Sequence, residues 1–281
     1  MTLGFFDGVH LGHAALLAHL KKLSKEKGLP SLVLTFDARP VFRSEALLTG
    51  IEERIALIKA QGVDEVVLEP FTEELAALSP ENFLREVVCG RLKAKAVLAG
   101  YDCRFGKDRA GNIGTIRSMA GELGLVCEEE EPFRLDGRIV SSTLCRELLI
   151  KGDLEELSRA LGRKWSLEGE IRPGRGVGRE LGFPTANLSL EGLASPPCGA
   201  YAASCDMEGR KGKALLYFGT RPTFGDSPEK VAEVFLPGCS GDLYGRKLVV
   251  TPERFLGPEK RYANASELKA AIASFLKLLD A

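Results

Sequence analysis

The feature that most constrains the fold is a change of pattern near residue 163. Before it, short β-rich runs alternate with stretches of helical periodicity. After it, β-like runs follow one another between Gly/Pro turns, and only the end of the chain turns helical again. Strands alternating with helices specify a parallel sheet with helices on both faces. Strands separated only by turns pair antiparallel, and closing them into a barrel removes exposed edges. A chain of 281 residues can build one or two cores. The switch argues for two, an α/β domain over 1–162 and an all-β barrel domain with a terminal helix over 163–281.

Within the first half, TLGFF ends a strand and a helix runs from about Gly12 to Lys27. SLVLTF (31–36), VDEVVLEPF (63–71), KAVLAG (95–100) and LVCEE read as strands. IEERIALIKAQG (51–62) carries apolar residues at helical spacing and stops at Gly62. Ser79, Pro80 and Glu81 begin a helix with a capping serine and a proline in the first turn, and another helix is expected near 113–123. The run EEEE (128–131) reads as a solvated turn and His19 as an exposed helix residue. VSSTLCRELLIKGDLEELSRALGR (140–163) reads as two short helices broken at Lys151-Gly152-Asp153. In the second half SLEGEIR, GAYAASCDM, GKALLYFG, VAEVFL and KLVVTPERF are the strands. SELKAAIASFLKLLDA (266–281) is an amphipathic helix with Ser266 as its cap.

Composition removes several classes. A net charge of −1 argues against a general nucleic-acid binder, which is usually basic. No run of 18 apolar residues suggests a membrane span, and the start lacks the pattern of a signal peptide. The seven cysteines form no C-x-x-C, which suits reduced thiols in a cytoplasm and argues against a zinc site. The expectation is a cytoplasmic protein with small-molecule partners; a homo-oligomer stays open.

Two stretches carry chemistry in the first half. In GFFDGVHLGH (4–13), Gly8 and Gly12 let the backbone approach a ligand, and the helix that follows offers free N–H groups and a positive dipole end to phosphate. His10 and His13, three residues apart, can face one way and stabilise charge on a phosphoryl group in flight. The other reading is two satisfied histidines at a helix start. In VSSTLCR (140–146), Ser141, Ser142 and Thr143 stand at a helix start, and Arg146, one turn on, could hold a polyphosphate or leaving pyrophosphate bidentately. An ordinary cap with a surface arginine is the alternative. In open parallel sheets ligands bind beyond the carboxyl ends of the strands, where both 1–13 and 95–112 place their Gly-rich polar motifs.

The second half has its own loop, RPGRGVGRELGFPTAN, with Gly174, Gly176, Gly178 and Gly182. It lacks the register of a dinucleotide fingerprint and no helix follows, so a Gly-rich flap cradling phosphates fits better. Thr185 and Asn187 alternate along an extended segment and face one side. Their hydroxyl and amide oxygens are hard ligands suited to Mg2+, although such residues after a proline are more often turn residues. Glu233, inside VAEVFL, is either exposed on an alternating strand or placed to accept a proton.

Taken in order, GFFDGVHLGH, GYDCRFGKDRAGN (100–112), VSSTLCR, GRELGFPTANL (178–188), GTRPTF (219–224), EVFL (233–236) and GDLYG (241–245) resemble the prokaryotic bifunctional riboflavin kinase/FMN adenylyltransferases over essentially the whole chain. The resemblance implies a Rossmann-like nucleotidyltransferase domain and a flavokinase barrel that convert riboflavin to FMN and FMN to FAD with ATP. It implies that Gly4, Phe5, Asp7, Gly8, Ser141, Ser142 and Thr143 bind ATP phosphates in the first domain, with His10, His13 and Arg146 catalytic. Gly174, Gly176, Gly178, Arg179, Gly182 and Pro184 would bind ATP in the second, where Thr185 and Asn187 hold Mg2+ and Glu233 is the general base for the ribityl 5′-hydroxyl. Asp102, Arg104, Phe105, Lys107, Arg109 and Glu259 would contact flavin.

Five departures from the usual pattern stand out. Phe5 replaces an asparagine, Ala38-Arg39 replace Pro-His, and Phe235 stands where a histidine or aromatic is usual. Gly238-Cys239 replace Asp-Phe, and Gly257 replaces an arginine. Two alternatives follow: a chain with one active domain, or a flavin- and nucleotide-binding regulator without turnover.

Overall fold

A computed structural model describes residues 1–38, 45–174, 178, 182–221, 229–239, 241–260 and 262–279. Arg39, Gly176 and Arg179, and residues 222–224 of GTRPTF, therefore lie outside the described residues. Packing divides the chain into two units. One is Met1–Glu45 with Thr49–Leu144; the other is Ala46–Leu48 with Cys145–Ala281.

The first unit runs β1 (Thr2–Leu3), α1 (Leu11–Lys27), β2 (Leu32–Phe36), α2 (Ile51–Ala60), β3 (Glu65–Glu69), α3 (Glu73–Ala77), α4 (Pro80–Asn82), β4 (Ala96–Gly100), α5 (Ile113–Leu123), β5 (Val126–Glu130) and a small hairpin, β6 (Arg134–Leu135) with β7 (Arg138–Ile139). A π-helical stretch, Phe83–Arg91, continues α4. β1, β2 and β3 pair in parallel, as do β4 and β5. Leu98 N–H donates to Met1 O (2.9 Å), which lays β4 beside β1 and gives the spatial order 3-2-1-4-5. The order reverses between β1 and β4, the switch point where such sheets open a crevice for ligands. α1 buries Leu16, Leu17, Leu20 and Leu23 at helical spacing and ends at Gly28 in the left-handed conformation. The Ser79 cap is as expected, its hydroxyl accepting from Asn82 N–H (3.2 Å).

The expectation of a turn at 128–131 is corrected. Glu128, Glu129 and Glu130 belong to β5, paired with Leu98, Ala99 and Gly100. Side chains answer their carboxylates: the His19 ring Nδ1 lies 2.5 Å from Glu130, and the cations Lys27 and Arg117 lie 3.7 Å from Glu128 and 2.7 Å from Glu129. Pairing to a buried strand outweighs the low β-propensity of glutamate. His19 is accordingly half-buried rather than exposed.

The division between the two packing units falls inside α6 (Ser142–Lys151). After α6 come α7 (Leu154–Leu161), β8 (Leu167–Glu170), β9 (Thr185–Ser189), β10 (Gly199–Met207), β11 (Arg210–Arg221), β12 (Glu229–Phe235), β13 (Lys247–Pro258) and α8 (Ala265–Lys277). The six strands form one antiparallel sheet in the order β8-β13-β10-β11-β12-β9. Arg172 N–H donates to Asn187 O (2.9 Å), drawing the chain beyond β8 onto β9 and nearly closing the barrel. Leu167, Leu188, Leu216, Phe218, Ala232, Val234, Leu248 and Val250 fill its interior. The cap of α8 is Asn264, not Ser266. Asn264 is extended, and its side-chain oxygen accepts from Glu267 N–H (3.0 Å).

Candidate functional sites

The crevice beyond β1 is built by a strained turn. Phe6 and Val9 have φ of 58° and 38°, values that side-chain-bearing residues rarely adopt, and Gly8 has 78°. A clasp holds this backbone. Gly8 N–H donates to Thr49 Oγ1 (3.2 Å), Thr49 N–H donates to Asp7 Oδ1 (3.3 Å) and Ser142 Oγ donates to Asp7 O (2.9 Å). Asp7 is buried, so its carboxylate serves the turn. The turn delivers His10 to the N-cap of α1, where its Nδ1 accepts from His13 N–H (3.3 Å). An accepting Nδ1 puts the proton of the neutral ring on Nε2.

The His10 and His13 rings stack 3.7 Å apart at 20°, and Phe6 tilts against His13 at 5.0 Å. Burial, and secondarily the charge of His10, hold His13 well below the usual imidazole pKa. His13 Nδ1 is buried without a hydrogen-bond partner among the described residues, an atom poised for a ligand. Gly12 leaves no room for a side chain, since a Cβ there would lie 3.1 Å from both the His10 ring and Val140 O. At the start of α6, Ser141 Oγ accepts from Leu144 N–H (3.2 Å), and Thr143 is exposed. Arg146, further along α6, is buried with Nε donating to Ala46 O (2.7 Å).

A cavity of about 120 Å³ lies at the carboxyl ends of β1 and β4, walled by Gly4, Phe5, Phe36, Phe71, Phe105 and Arg109. Arg104 also lines it; Asp102 and Lys107 are exposed and do not. Sequence reasoning missed one residue beneath it. Arg54 of α2 is fully buried, its guanidinium 3.9 Å from the Phe5 ring centroid and its Nη2 donating to Phe36 O (2.5 Å). The signal was present: Ile51, Arg54, Ile55 and Ile58 share one helical face, and an arginine there must find a partner.

In the barrel, the Thr185 hydroxyl donates to Glu233 Oε2 (3.4 Å), and Asn187 is the cross-strand partner of Glu233. Both Thr185 and Glu233 line an apolar cavity of about 290 Å³ between the sheet and α8, with Tyr217, Phe235, Ile272 and Phe275. Thr185 also lines a second cavity of about 360 Å³, with Pro184, Val234, Asp242 and Tyr244. Gly174 is pressed on the Asn187 amide, where a Cβ would come within 2.2 Å of Nδ2. Gly178 is equally crowded against Phe183 O, and Gly182 adopts φ of 86°. Glu259 does not line either cavity: it accepts from Tyr217 Oη (2.7 Å) and Thr220 N–H (3.3 Å). At Gly257, Phe275 of α8 sits 3.3 Å from where a Cβ would be, occupying the space an arginine would need.

A switch-point crevice with a histidine pair, joined in one chain to an antiparallel barrel with a hydroxyl–carboxylate pair beside an apolar cavity, defines a two-headed nucleotide-using transferase. The comparisons agree. The FAD synthetase family model matches residues 1–144 and the riboflavin kinase model residues 161–278. The bifunctional riboflavin kinase/FMN adenylyltransferase of Pseudomonas fluorescens is 34% identical over 96% of this chain and 88% of its own length. That of Escherichia coli K12 is 34% identical over 97% and 89%, and that of Listeria monocytogenes 30% over 100% and 93%. The chain belongs to the bifunctional riboflavin kinase/FMN adenylyltransferase family. A crystal structure titled as a macrolide-efflux protein from Streptococcus pneumoniae shares the fold, with a TM-score of 0.82 and 24% identity over 99% of this chain and 93% of that one.

Proposed function

We propose a division of labour inside this bifunctional enzyme of FAD biosynthesis, with adenylyl transfer over 1–162 and riboflavin phosphorylation over 163–281. In the barrel, the 290 Å³ cavity receives the riboflavin ring and directs the ribityl 5′-hydroxyl at Glu233. Glu233 takes the hydroxyl proton as the oxygen attacks the γ-phosphorus of ATP, and ADP leaves. The 360 Å³ cavity that shares Thr185 and is walled by Pro184 receives the nucleotide; Gly174 against Asn187, Gly178 beside Thr185 at the neighbouring 290 Å³ cavity, and Gly182 are assigned to its phosphates. The donor set fits Mg2+: Thr185 Oγ1 and Asn187 Oδ1 are hard oxygens, on neighbouring positions of one sheet face, that leave coordination sites for phosphates. Bound there, Mg2+ would neutralise phosphate charge.

In the α/β unit, a phosphate oxygen of FMN attacks the α-phosphorus of ATP and the bond to pyrophosphate breaks. That nucleophile is already ionised, so no general base is needed. His13 acts as a neutral hydrogen-bonding group on the reacting phosphate, a mode its depressed pKa favours, and His10 stands stacked beside it. Ser141, Ser142 and Thr143 offer the start of α6 to phosphate, and Arg146 is assigned to the leaving pyrophosphate. Arg104, Phe105 and Arg109 stand at the flavin cavity. ATP dependence and seven cysteines outside any disulfide suit the cytoplasm.

The observation that carries the kinase assignment is the Thr185–Glu233 contact at the rim of an apolar, ring-sized cavity. Glu233→Gln should abolish conversion of riboflavin to FMN while FMN supplied directly is still converted to FAD, read by chromatography of the flavins. An unchanged kinase rate removes Glu233 from its role.

A further inference from the structure

The barrel sheet carries a row that no sequence motif spells out. Its registers align Asn187 with Glu233, Glu233 with Tyr217, Tyr217 with Ala200, and Ala200 with Gly257. Five strands thus place five side-chain positions in one line across the same face. The first two are the proposed metal ligand and base. The last two are nearly bare, and Phe275 of α8 covers the end of the row. Tyr217 is the one bulky aromatic between the reacting end and the covered end, and it lines the 290 Å³ cavity.

The Tyr217 ring is fixed at both ends. Its edge lies on Gly219, where a Cβ would come within 2.5 Å of Cε1, so no other residue fits beneath it. Its hydroxyl donates to Glu259 Oε1 (2.7 Å), and the same oxygen accepts from Thr220 N–H (3.3 Å). Burial, and then the bond to Glu259 and its charge, push the phenol well above its ordinary pKa, so the hydroxyl stays a donor. An unanchored tyrosine beside an open cavity could swing between rotamers; a charge-assisted bond of this kind holds one.

We propose that Tyr217 is a specificity-determining residue of the kinase site, the fixed wall that sets how far the flavin can approach Glu233, and that Glu259 is a positioning residue acting through Tyr217. This deepens the reading of the 290 Å³ cavity as the riboflavin site and rests on it. The Tyr217–Glu259 pair selects a flat heteroaromatic ring bearing a flexible hydroxylated chain. The ring packs against Tyr217 and α8, and the chain runs along the row toward Glu233.

The test is steady-state riboflavin kinase kinetics of the full chain, with adenylylation of supplied FMN as the check on folding. Tyr217→Phe keeps the ring and cuts the tether; Glu259→Ala cuts the same tether from the other side. Each should raise KM for riboflavin about tenfold with kcat within about threefold. The double variant should be no worse than either single, since both remove one bond. Glu259→Gln retains an acceptor and should stay within about threefold of the parent. Losses that multiply in the double variant, or an unchanged KM in Tyr217→Phe, overturn the proposal. Ile272→Trp, which fills the cavity from α8, separates the underlying reading. If it leaves KM unchanged, the cavity is not the flavin site. If it raises KM while the tether variants do not, only the role of Tyr217 and Glu259 falls.

Discussion

Two imidazoles stacked 3.7 Å apart in a buried turn cannot both hold charge cheaply, and the protein resolves this by keeping His13 neutral. The consequence for stability has a sign. The folded pKa lies well below that of an ordinary imidazole, so the unfolded chain binds a proton that the folded one refuses. Stability is therefore full above about pH 6.5 and declines as pH falls below it. His13→Phe should flatten the fall in melting temperature between pH 7.5 and 5.5 measured by circular dichroism; equal slopes in both proteins would remove His13 as a cause. Phe5 finds its reason at this scale too. At this position the chain covers the buried Arg54 with an aromatic face. Phe5→Asn uncovers that charge at a cost of about 1 kcal/mol, and it should raise KM for FMN several-fold while riboflavin phosphorylation is unchanged. That both histidines stand together at a helix start was legible in the sequence. Their protonation was not, because it depends on burial and on the neighbour's ring.

Among the elements, those with strong periodicity were readable nearly to the residue: the helix expected near 113–123 is Ile113–Leu123, and the strand GAYAASCDM is Gly199–Met207. The one misreading among the strands has a local cause: the glutamates 128–130 have weak β-propensity, and they continue β5 because β4 pairs with them. The extended segment expected at Thr185 and Asn187 is β9. β9 matters most, since its pairing with β12 sets Asn187 opposite Glu233. Gly174 sits against that pair with no room for a methyl group. Gly174→Ala should displace the Asn187 amide and lower kinase activity about tenfold or more at low Mg2+, with partial recovery as Mg2+ is raised. Recovery at high ATP instead, with no response to Mg2+, would detach Asn187 from the metal.

For the whole molecule, the two activities meet through one compound, FMN, the product of the first and the substrate of the second. His13→Ala should form FMN but not FAD from riboflavin, and Glu233→Gln should form neither. An equimolar mixture of the two variants should make FAD from riboflavin, because FMN released by one is adenylylated by the other. A mixture that stalls at FMN would mean that product stays with the chain that made it. Sequence pattern alone determined the two-part architecture, the switch from parallel to antiparallel pairing, and the motif residues proposed for phosphate chemistry. It could do so because periodicity and turn chemistry are local. Only the tertiary structure decided that Asp7 and Thr49 clasp the histidine turn, that Arg54 underlies Phe5, and that Tyr217 donates to Glu259. Each of these depends on which strands become neighbours and in what register, and a one-residue slip would turn every such side chain to the opposite face.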